Sequence, residues 1–333
     1  MQQTRQVKIL GTGKYMPKAV VTAAEMDKKL GQPPGWSEKI SDVRLRHFVD
    51  GETASYMGAQ AAKAALLQAG LEWKDIDCIV CASGTMEQPI PCNAALMQRE
   101  LGTAAAGIPA FDINTTCLSF LTGLDVLSYM IAAGRYRHVM LVSSEIASLG
   151  LNWSNKESAV LFGDGAAAAV IAPSEEGEGS RILCSRMETY AEGAAWSEIR
   201  GGGTKLPATR YNLSNEADYL FHMDGRAIFK LASRLLPDFV QALLQPSGFR
   251  LADIRLVIPH QGSAAAMRLI LRKLRIAEEQ LMYITPNHGN TIAASIPMGL
   301  HEAISTRRIE RGDLVLLLGT SAGLSLGGLL LEY

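Results

Sequence analysis

The feature that most constrains the fold of this chain is an internal repeat. Residues 70–84, GLEWKDIDCIVCASG, resemble residues 248–262, GFRLADIRLVIPHQG, in the spacing of a glycine, an Asp-Ile pair and an apolar run. A second pair of segments, at 132–145 and 305–321, joins a basic turn to an apolar run that ends in Ser or Thr. The two pairs have nearly the same offset along the chain. Two matches at nearly one offset indicate that one arrangement of elements occurs twice.

Within each half, segments of strand character alternate with segments of helical character. Residues 53–70 and 117–134 have small and apolar residues at helical spacing, and a glycine ends each of them. The segment IPAFDIN, at 108–114, has the character of a strand. The alternation predicts an α/β fold in which helices cover mostly buried sheets.

The polar stretch PSEEGEGS, at 173–180, is where we expect the two halves to join. We therefore predict an N-terminal half of residues 1–175 and a C-terminal half of residues 176–333. Residues 185–222 have weak periodicity and contain three consecutive glycines. We interpret this segment as an insertion that forms a loop over a site.

The stretch DINTTCLSF places a thiol, Cys117, where a strand gives way to a helix. Asn114, Thr115 and Thr116 are the candidate caps of that helix. Backbone N–H groups of the first helical turn and the helix dipole favour negative charge, so we expect a lowered pKa and a nucleophilic thiolate. The alternative is a packed and unreactive cysteine.

The repeat brings an imidazole and an amide toward this thiol. His260, in VIPHQGS, lies in the turn after the matching strand of the second half, and Asn290, in NHGNTIAAS, precedes the helix that corresponds to the Cys117 helix. If the halves pack about a pseudo-twofold axis, the two helix starts face one another. We therefore expect Cys117, His260 and Asn290 to converge, with His288 as a competing candidate.

Composition and cysteine content limit the other functions of the chain. The net charge of −1 gives no global reason to expect nucleic acid or an anionic membrane as a partner. Five cysteines in a large chain, without a signal-like N-terminus, predict free thiols in the cytoplasm. The C-x-x-C of Cys78 and Cys81 lies in a strand-like run, where odd spacing directs the two side chains to opposite faces and disfavours a metal or redox site.

Two further patterns have an ordinary structural interpretation. The apolar C-terminus, residues 314–333, contains several glycines and serines, which favours two buried strands and a turn over a membrane span. The glycine motifs GTGKYMP and GDGAAAAVIA do not open helices, which argues against a dinucleotide-binding site.

Taken together, several motifs resemble those of β-ketoacyl-acyl-carrier-protein synthase III, a family of thiolase-fold condensing enzymes. They are ILGTGKYMP, VRLRH, DINTTCLSF, LFGDGAAAAV, VIPHQ, HGNTIAAS and the glycine-rich C-terminus. The resemblance runs nearly end to end and implies a thiolase-like α/β fold with five αβαβα layers, a homodimer and a Cys117–His260–Asn290 triad. It implies acyl-CoA and malonyl-acyl-carrier protein as substrates, and no metal or cofactor. Because no cysteine follows Cys184, the second catalytic cysteine of true thiolases is missing.

The resemblance also implies a mechanism in two steps. Cys117 takes an acyl group from acyl-CoA, while backbone N–H groups of Cys117, Ala322 and Gly323 hold the oxyanion. His260 and Asn290 then donate hydrogen bonds to the thioester carbonyl of malonyl-acyl-carrier protein. Loss of carbon dioxide leaves an enolate that attacks the acyl-cysteine and gives a β-ketoacyl thioester.

Substrate contacts are implied at the periphery. Trp36 matches the tryptophan that stacks on coenzyme A, and Ile90 stands where a residue of the other subunit closes the acyl pocket. An acidic carrier protein is expected to dock on basic residues of two helices. These are Arg226, Lys230, Arg268, Arg272 and Lys273.

The chain also departs from the family pattern. Ser263 and Ala265 replace an asparagine and an arginine, Ile40 stands in place of an arginine near Trp36, and Ser-Ala-Gly replaces a glycine-rich turn at 321–323. These departures leave two alternatives open. One is a related acyltransferase or an enzyme that condenses two acyl-CoAs head to head, and the other is a non-catalytic thiolase-fold subunit.

Overall fold

Two β-sheets organise the chain in the computed structural model, which describes residues 4–333. The strands are β1 Val7–Tyr15, β2 Ala19–Thr22, β3 Leu45–Phe48, β4 Cys78–Cys81, β5 Ala110–Asp112, β6 Val139–Glu145, β7 Gly165–Pro173, β8 Arg181–Thr189, β9 Ser197–Glu198, β10 His222–Met223, β11 Leu256–Pro259, β12 Leu314–Ser321 and β13 Ser325–Glu332. The α-helices are α1 Ala23–Leu30, α2 Trp36–Ser41, α3 Ala54–Ala69, α4 Asn93–Leu101, α5 Ser119–Ala132, α6 Lys156–Ala159, α7 Gly225–Leu244, α8 Ala264–Leu274, α9 Thr285–His288 and α10 Ser295–Ser305.

The two large sheets share one strand order, as the sequence repeat predicts. The first sheet is ordered β1-β7-β6-β4-β5 and the second, counted from the corresponding edge, β8-β13-β12-β11. The pairs β4/β6 and β11/β12 are parallel, whereas β1/β7 and β8/β13 are antiparallel. The counterpart of β5 is a single parallel bridge between Val257 and Leu281.

Three hydrophobic clusters separate five layers of structure. One cluster packs α3 and α4 against the outer face of the first sheet, and another packs α7 and α8 against the outer face of the second. The central cluster holds α5 and α10 between the inner faces of both sheets. The αβαβα arrangement that the resemblance implies is therefore confirmed.

The structure confirms several predictions about single elements of the chain. Thr53 caps α3 by accepting a hydrogen bond from the Tyr56 N–H, and Gly70 ends the helix in the left-handed region. The apolar C-terminus forms β12, a turn and β13. Among residues 4–333, none of the helices combines the length and the apolar composition of a membrane span. Cys78 lies in the central cluster and Cys81 in the outer one, on opposite faces of β4 as predicted.

The segment between the two sheets contains the predicted boundary. β7 ends at Pro173 and β8 begins at Arg181, so residues 175 and 176 lie in the connection. The central cluster draws its side chains from both halves. The division into two domains at that point stays a prediction.

The glycine motif near the N-terminus serves packing. Gly11 and Gly13 lie on β1 where it crosses α3. A Cβ added at Gly13 would lie 2.3 Å from the Ala61 carbonyl oxygen and 2.5 Å from the Ala65 nitrogen. Strand and helix backbones approach this closely only because the glycines carry no side chain.

Gly13→Ala is expected to destabilise the fold, because the added methyl group meets backbone atoms that cannot move independently. The free energy of unfolding should fall by about 2 kcal/mol or more, measured by urea denaturation. Gly203→Ala is the matched control, since an added Cβ there meets nothing within 4 Å. Equal stability of the two variants would contradict this account of the motif.

Candidate active site

β6 ends in a fully buried carboxylate, Glu145, where several loops of the candidate site meet. Its oxygens accept hydrogen bonds from the Gly84 N–H at 2.6 Å and from the N–H and hydroxyl of Thr85 at 2.9 and 2.6 Å. The Ala293 N–H also donates to this carboxylate. Burial raises the pKa of Glu145 to about 7, and the hydrogen bonds offset part of that effect. Glu145 thus ties the loop after β4 to the segment that precedes α10.

Two equivalent turns, one in each half, lead into α5 and α10. Asn114 and Asn290 begin these turns, and each side-chain oxygen accepts a hydrogen bond from the N–H two residues later, at 2.8 and 2.9 Å. Those later residues, Thr116 and Ile292, have φ angles of 50° and 49°. β-Branched residues seldom adopt this left-handed conformation, so both turns are strained. A Cβ added at Gly84 would lie 3.2 Å from Thr116 and 3.0 Å from Ile292, which places the two turns side by side.

Cys117 lies in a 3₁₀ turn, Thr116–Leu118, that precedes α5. In the described part of the chain no side chain caps α5, so Asn114, Thr115 and Thr116 are not its caps as the sequence suggested. The expectation of a lowered thiol pKa was also wrong. Burial raises the pKa of Cys117 to about 12, and the charge of Glu145 adds to that effect. The free site therefore favours the thiol, and a base is needed to produce the nucleophile.

The turn between β12 and β13 contacts Cys117. The backbone N–H groups of Ala322 and of Cys117 itself favour the thiolate, and both counteract the rise in the thiol pKa. The Thr116 hydroxyl donates to the Ala322 carbonyl at 3.4 Å. The structure thus brings two of the three predicted oxyanion donors to the sulfur, and Gly323 is the next residue of the same turn.

His260 follows β11 and is buried beside β12, and its N–H donates to the Leu318 carbonyl at 2.8 Å. A Cβ added at Gly319 would lie 2.7 Å from the His260 Cβ and 3.1 Å from a methyl group of Leu118, the neighbour of Cys117. The His260 Nδ1 lies 2.8 Å from the Ser295 hydroxyl. Burial lowers the pKa of His260 to about 4, so the imidazole is neutral at physiological pH.

Asn290 and the other imidazole nitrogen of His260 both lie beside Gly262. Its side-chain nitrogen donates to the Gly262 carbonyl at 3.3 Å, and a Cβ added at Gly262 would lie 3.4 Å from the His260 Nε2. The Asn290 backbone is held by its N–H, which donates to the Leu161 carbonyl at 2.7 Å. His260 and Asn290 therefore share one small region around Gly262.

Gln261 holds this region together, although sequence reasoning assigned no role to it. The side chain is fully buried and donates to the carbonyls of Pro259 and Met282 at 2.9 and 3.0 Å. Its oxygen accepts from the N–H groups of Ile284 and Thr285, and from the Thr285 hydroxyl. The glutamine after His260 therefore anchors the strand end to the segment that leads toward Asn290.

The competing histidine has a different partner. The His288 Nε2 lies 2.6 Å from Glu302, whose carboxylate also accepts from Lys14 at 2.7 Å. These contacts lower the pKa of Glu302 to about 2, against the effect of its burial. The network joins β1 to α9 and α10 and has a structural role.

The predicted substrate contacts lie on other parts of the chain. Trp36 is half-buried at the start of α2, in a small cluster with Met26 and Val160. Trp153 belongs to the same cluster, and the Lys29 ammonium lies 3.4 Å from the centre of its ring. Ile90 is 83% exposed, so within one chain it covers no pocket.

The predicted docking residues lie on two adjacent helices. Arg226 and Lys230 are exposed on α7, and a second group is exposed on α8, which contacts α7. The second group is Arg268, Arg272 and Lys273. Ser263 caps α8 by accepting a hydrogen bond from the Ala266 N–H at 3.2 Å, which gives the departure at that position a structural reason.

Residues 185–222 were interpreted as an insertion, but residues 185–189 belong to β8 and pair with β13 in the second sheet. The rest of the segment packs beside the candidate site. Tyr190 and Leu324 exchange backbone hydrogen bonds at 2.7 and 3.2 Å, which attaches the insertion to the turn after β12. The Phe221 and Phe162 rings meet edge to face at 5.2 Å, in a cluster that includes Ile292. Within residues 4–333, no group of three or more His, Cys, Asp or Glu side chains is placed to hold a metal ion.

Comparisons with known proteins identify relatives of this chain in sequence and in fold. Family models described as 3-oxoacyl-acyl-carrier-protein synthase III and its C terminal match residues 111–191 and 244–333. The beta-ketoacyl-acyl-carrier-protein synthase III of Aquifex aeolicus is 35% identical over 98% of this chain and 99% of that protein. The enzyme of the same name from Natranaerobius thermophilus is 34% identical over 98% of this chain and 99% of that protein. A crystal structure of the Aquifex aeolicus VF5 enzyme has a TM-score of 0.89 at 34% identity, and the match covers 98% of this chain and 100% of that chain.

Glu145→Gln is expected to lower the pKa of Cys117, because the negative charge that opposes a thiolate is removed. Each unit of decrease raises the thiolate fraction about tenfold below the pKa. The measurement is the rate of iodoacetamide alkylation at Cys117 at pH 9, followed by peptide mass spectrometry. Exposed Glu192→Gln is the control and should leave the rate unchanged. An unchanged rate in correctly folded Glu145→Gln would show that the carboxylate does not act on the thiol.

Proposed function

Because this chain belongs to the β-ketoacyl-acyl-carrier-protein synthase III family of acyltransferases, we propose that it condenses an acyl primer from acyl-CoA with malonyl-acyl-carrier protein. The relatives' activity has the number EC 2.3.1.180. The product is a β-ketoacyl thioester, formed through an acyl group held on Cys117. The observation that carries the proposal is that His260 Nε2 and the Asn290 amide lie around one residue, Gly262.

The first step is transfer of the acyl group to Cys117. The neutral His260 imidazole accepts the thiol proton at Nε2, and the sulfur attacks the thioester carbonyl of acyl-CoA. N–H groups of Cys117, Ala322 and Gly323 stabilise the oxyanion as charge develops on the carbonyl oxygen. The coenzyme A sulfur leaves and takes the proton from His260. Burial keeps the His260 imidazole neutral, so one of its ring nitrogens is unprotonated and able to accept the proton.

The second step is decarboxylation of the malonyl thioester. The Asn290 amide and the His260 Nε2–H donate to the thioester carbonyl, and the carbon–carbon bond to the carboxylate breaks. The electron pair forms an enolate that these donors stabilise. The enolate carbon attacks the acyl-cysteine, and the Cys117 sulfur leaves and takes a proton from water, which restores the thiol. This chemistry uses no metal or cofactor, because loss of carbon dioxide supplies the carbanion.

The outer contacts complete the proposal. Coenzyme A enters beside Trp36, and Ile90 closes the acyl pocket of the other subunit in a cytoplasmic homodimer. The acidic carrier protein docks on the basic residues of α7 and α8, which are exposed and adjacent. Substitution of arginines by Ile40 and Ala265 favours a primer or carrier other than the usual ones.

We expect a covalent adduct on Cys117 after incubation with acyl-CoAs of increasing chain length. Intact-mass spectrometry should show the mass of one acyl group per chain for at least one of them, and Cys117→Ala should show none. The adduct should disappear when malonyl-acyl-carrier protein is added, with formation of a β-ketoacyl product.

Two other results would contradict the proposal. Absence of an adduct with every chain length would favour a non-catalytic subunit. An acyl adduct that a second acyl-CoA consumes, in place of malonyl-acyl-carrier protein, would identify head-to-head condensation or acyl transfer.

His260→Ala is expected to separate the two steps. Acylation of Cys117 should continue at a reduced rate, because other bases replace the imidazole inefficiently. Decarboxylation of malonyl thioester should fall by about 100-fold or more, measured as release of labelled carbon dioxide. Normal decarboxylation in this variant would refute the role of His260 as a donor.

A further inference from the structure

Ser295, the first residue of α10, contacts His260 and has no part in the mechanism above. Its hydroxyl is fully buried and lies 2.8 Å from the His260 Nδ1. It donates to the Ile292 carbonyl at 2.9 Å and accepts from the Gln261 N–H at 3.3 Å. The Ser295 hydroxyl is therefore able either to donate a hydrogen bond to the imidazole Nδ1 or to accept one from it.

The hydrogen-bond inventory of a serine allows two arrangements here. A hydroxyl has one hydrogen to donate and two lone pairs that accept. If the hydrogen points to Ile292, the oxygen accepts from His260 Nδ1–H, and Nε2 is unprotonated. If the hydroxyl rotates toward His260, Nδ1 accepts, and the proton of the neutral ring is on Nε2. Gln261 donates to the oxygen in both arrangements.

The two steps of the reaction require opposite tautomers. Removal of the Cys117 proton needs an unprotonated Nε2, whereas donation to the malonyl carbonyl needs Nε2–H. A neutral imidazole has only one ring proton, so one fixed tautomer serves only one of the steps. Because the pKa of His260 is about 4, the doubly protonated ring is not the resting form at neutral pH.

We propose that Ser295 is a positioning residue that stabilises either tautomer of His260 by rotation of its hydroxyl, and so lets one imidazole serve both steps. The inference rests on the proposed function. The neutral ring carries one proton in either tautomer, and it passes from one tautomer to the other by exchange of that proton with solvent, which leaves its net charge unchanged. The Ser295 oxygen keeps its position in both arrangements, because the Gln261 N–H donates to it in each.

The equivalent serine of the first half separates this role from a structural one. Ser119 occupies the position in the first half that Ser295 occupies in the second, and it donates to the Thr116 carbonyl at 2.6 Å, as Ser295 does to Ile292. Ser119 accepts from the Thr115 N–H at 2.9 Å, where Ser295 faces an imidazole. The bond to the carbonyl thus supports the turn in both halves, and the contact with His260 is specific to Ser295.

Ser295→Ala tests the proposal by removing the rotating group. The Ser295 hydroxyl lies between Nδ1 and the Ile292 carbonyl, at 2.8 and 2.9 Å. A carbonyl only accepts hydrogen bonds, and this one favours the protonated ring. With the hydroxyl gone, we expect the ring proton to stay on Nδ1 and Nε2 to be unprotonated. The rate of Cys117 acylation by acyl-CoA should stay within about threefold of that of the unsubstituted protein. The rate of decarboxylation of malonyl thioester should fall by about 30-fold. Ser295→Thr keeps the hydroxyl and should restore decarboxylation.

Histidine tautomers are also measured directly in the free protein labelled with ¹⁵N. The His260 signals, identified by their loss in His260→Ala, should show both tautomers in the unsubstituted protein and only Nδ1–H in Ser295→Ala. Ser119→Ala is the control for loss of the hydrogen bond within the turn. The decrease in its melting temperature shows how much stability is lost when a serine with a purely structural role is removed.

Several outcomes would overturn the role of Ser295. They are equal losses in both steps, no loss in either step, or unchanged tautomers in folded Ser295→Ala. Failure of the unsubstituted protein to acylate Cys117 would instead refute the proposed function. The NMR measurement would still decide the tautomer question in that case.

Discussion

The candidate site depends on one buried carboxylate. Glu145 lies fully buried at the end of β6, and its hydrogen bonds come from two loops that are distant in sequence. A buried carboxylate without such donors is strongly unfavourable, so each donor is held in place by the need to satisfy the charge. The equivalent position of the second half, at the end of β12, is Ser321. A neutral residue there avoids repulsion between two carboxylates near the pseudo-twofold axis.

The same turn supports different chemistry in the two halves. In the first half it presents Cys117, whereas its counterpart in the second half is Ala293, which donates its N–H to Glu145. Asn114 is exposed, while Asn290 is buried and its amide faces Gly262. The repeat therefore supplies a scaffold with two similar strained turns, and substitutions within them give one turn the thiol and the other the amide.

The sequence predicted the fold well because the repeat and the alternation of strands and helices are properties of neighbouring residues. It also placed His260 and Asn290 in one region, through the symmetry that the repeat implies. The pKa of Cys117 was wrongly predicted. A position at a helix start suggests a lowered pKa, whereas burial among segments that are distant in sequence raises it. Roles for Glu145 and Gln261 were missed for the same reason. A charged residue at the end of an apolar strand, as in VMLVSSE, was the signal available for Glu145.

The central layer has a consequence for how substrates reach the reacting groups. α5 and α10 begin at the two turns of the site, and both are enclosed between the sheets in one cluster that spans the two halves. A rotation that separated the two halves would expose that whole cluster to water, which the hydrophobic effect opposes. Access must therefore depend on peripheral loops around a rigid interior. Differences in substrate choice between such enzymes can then arise in those loops, while the geometry of the reaction stays the same.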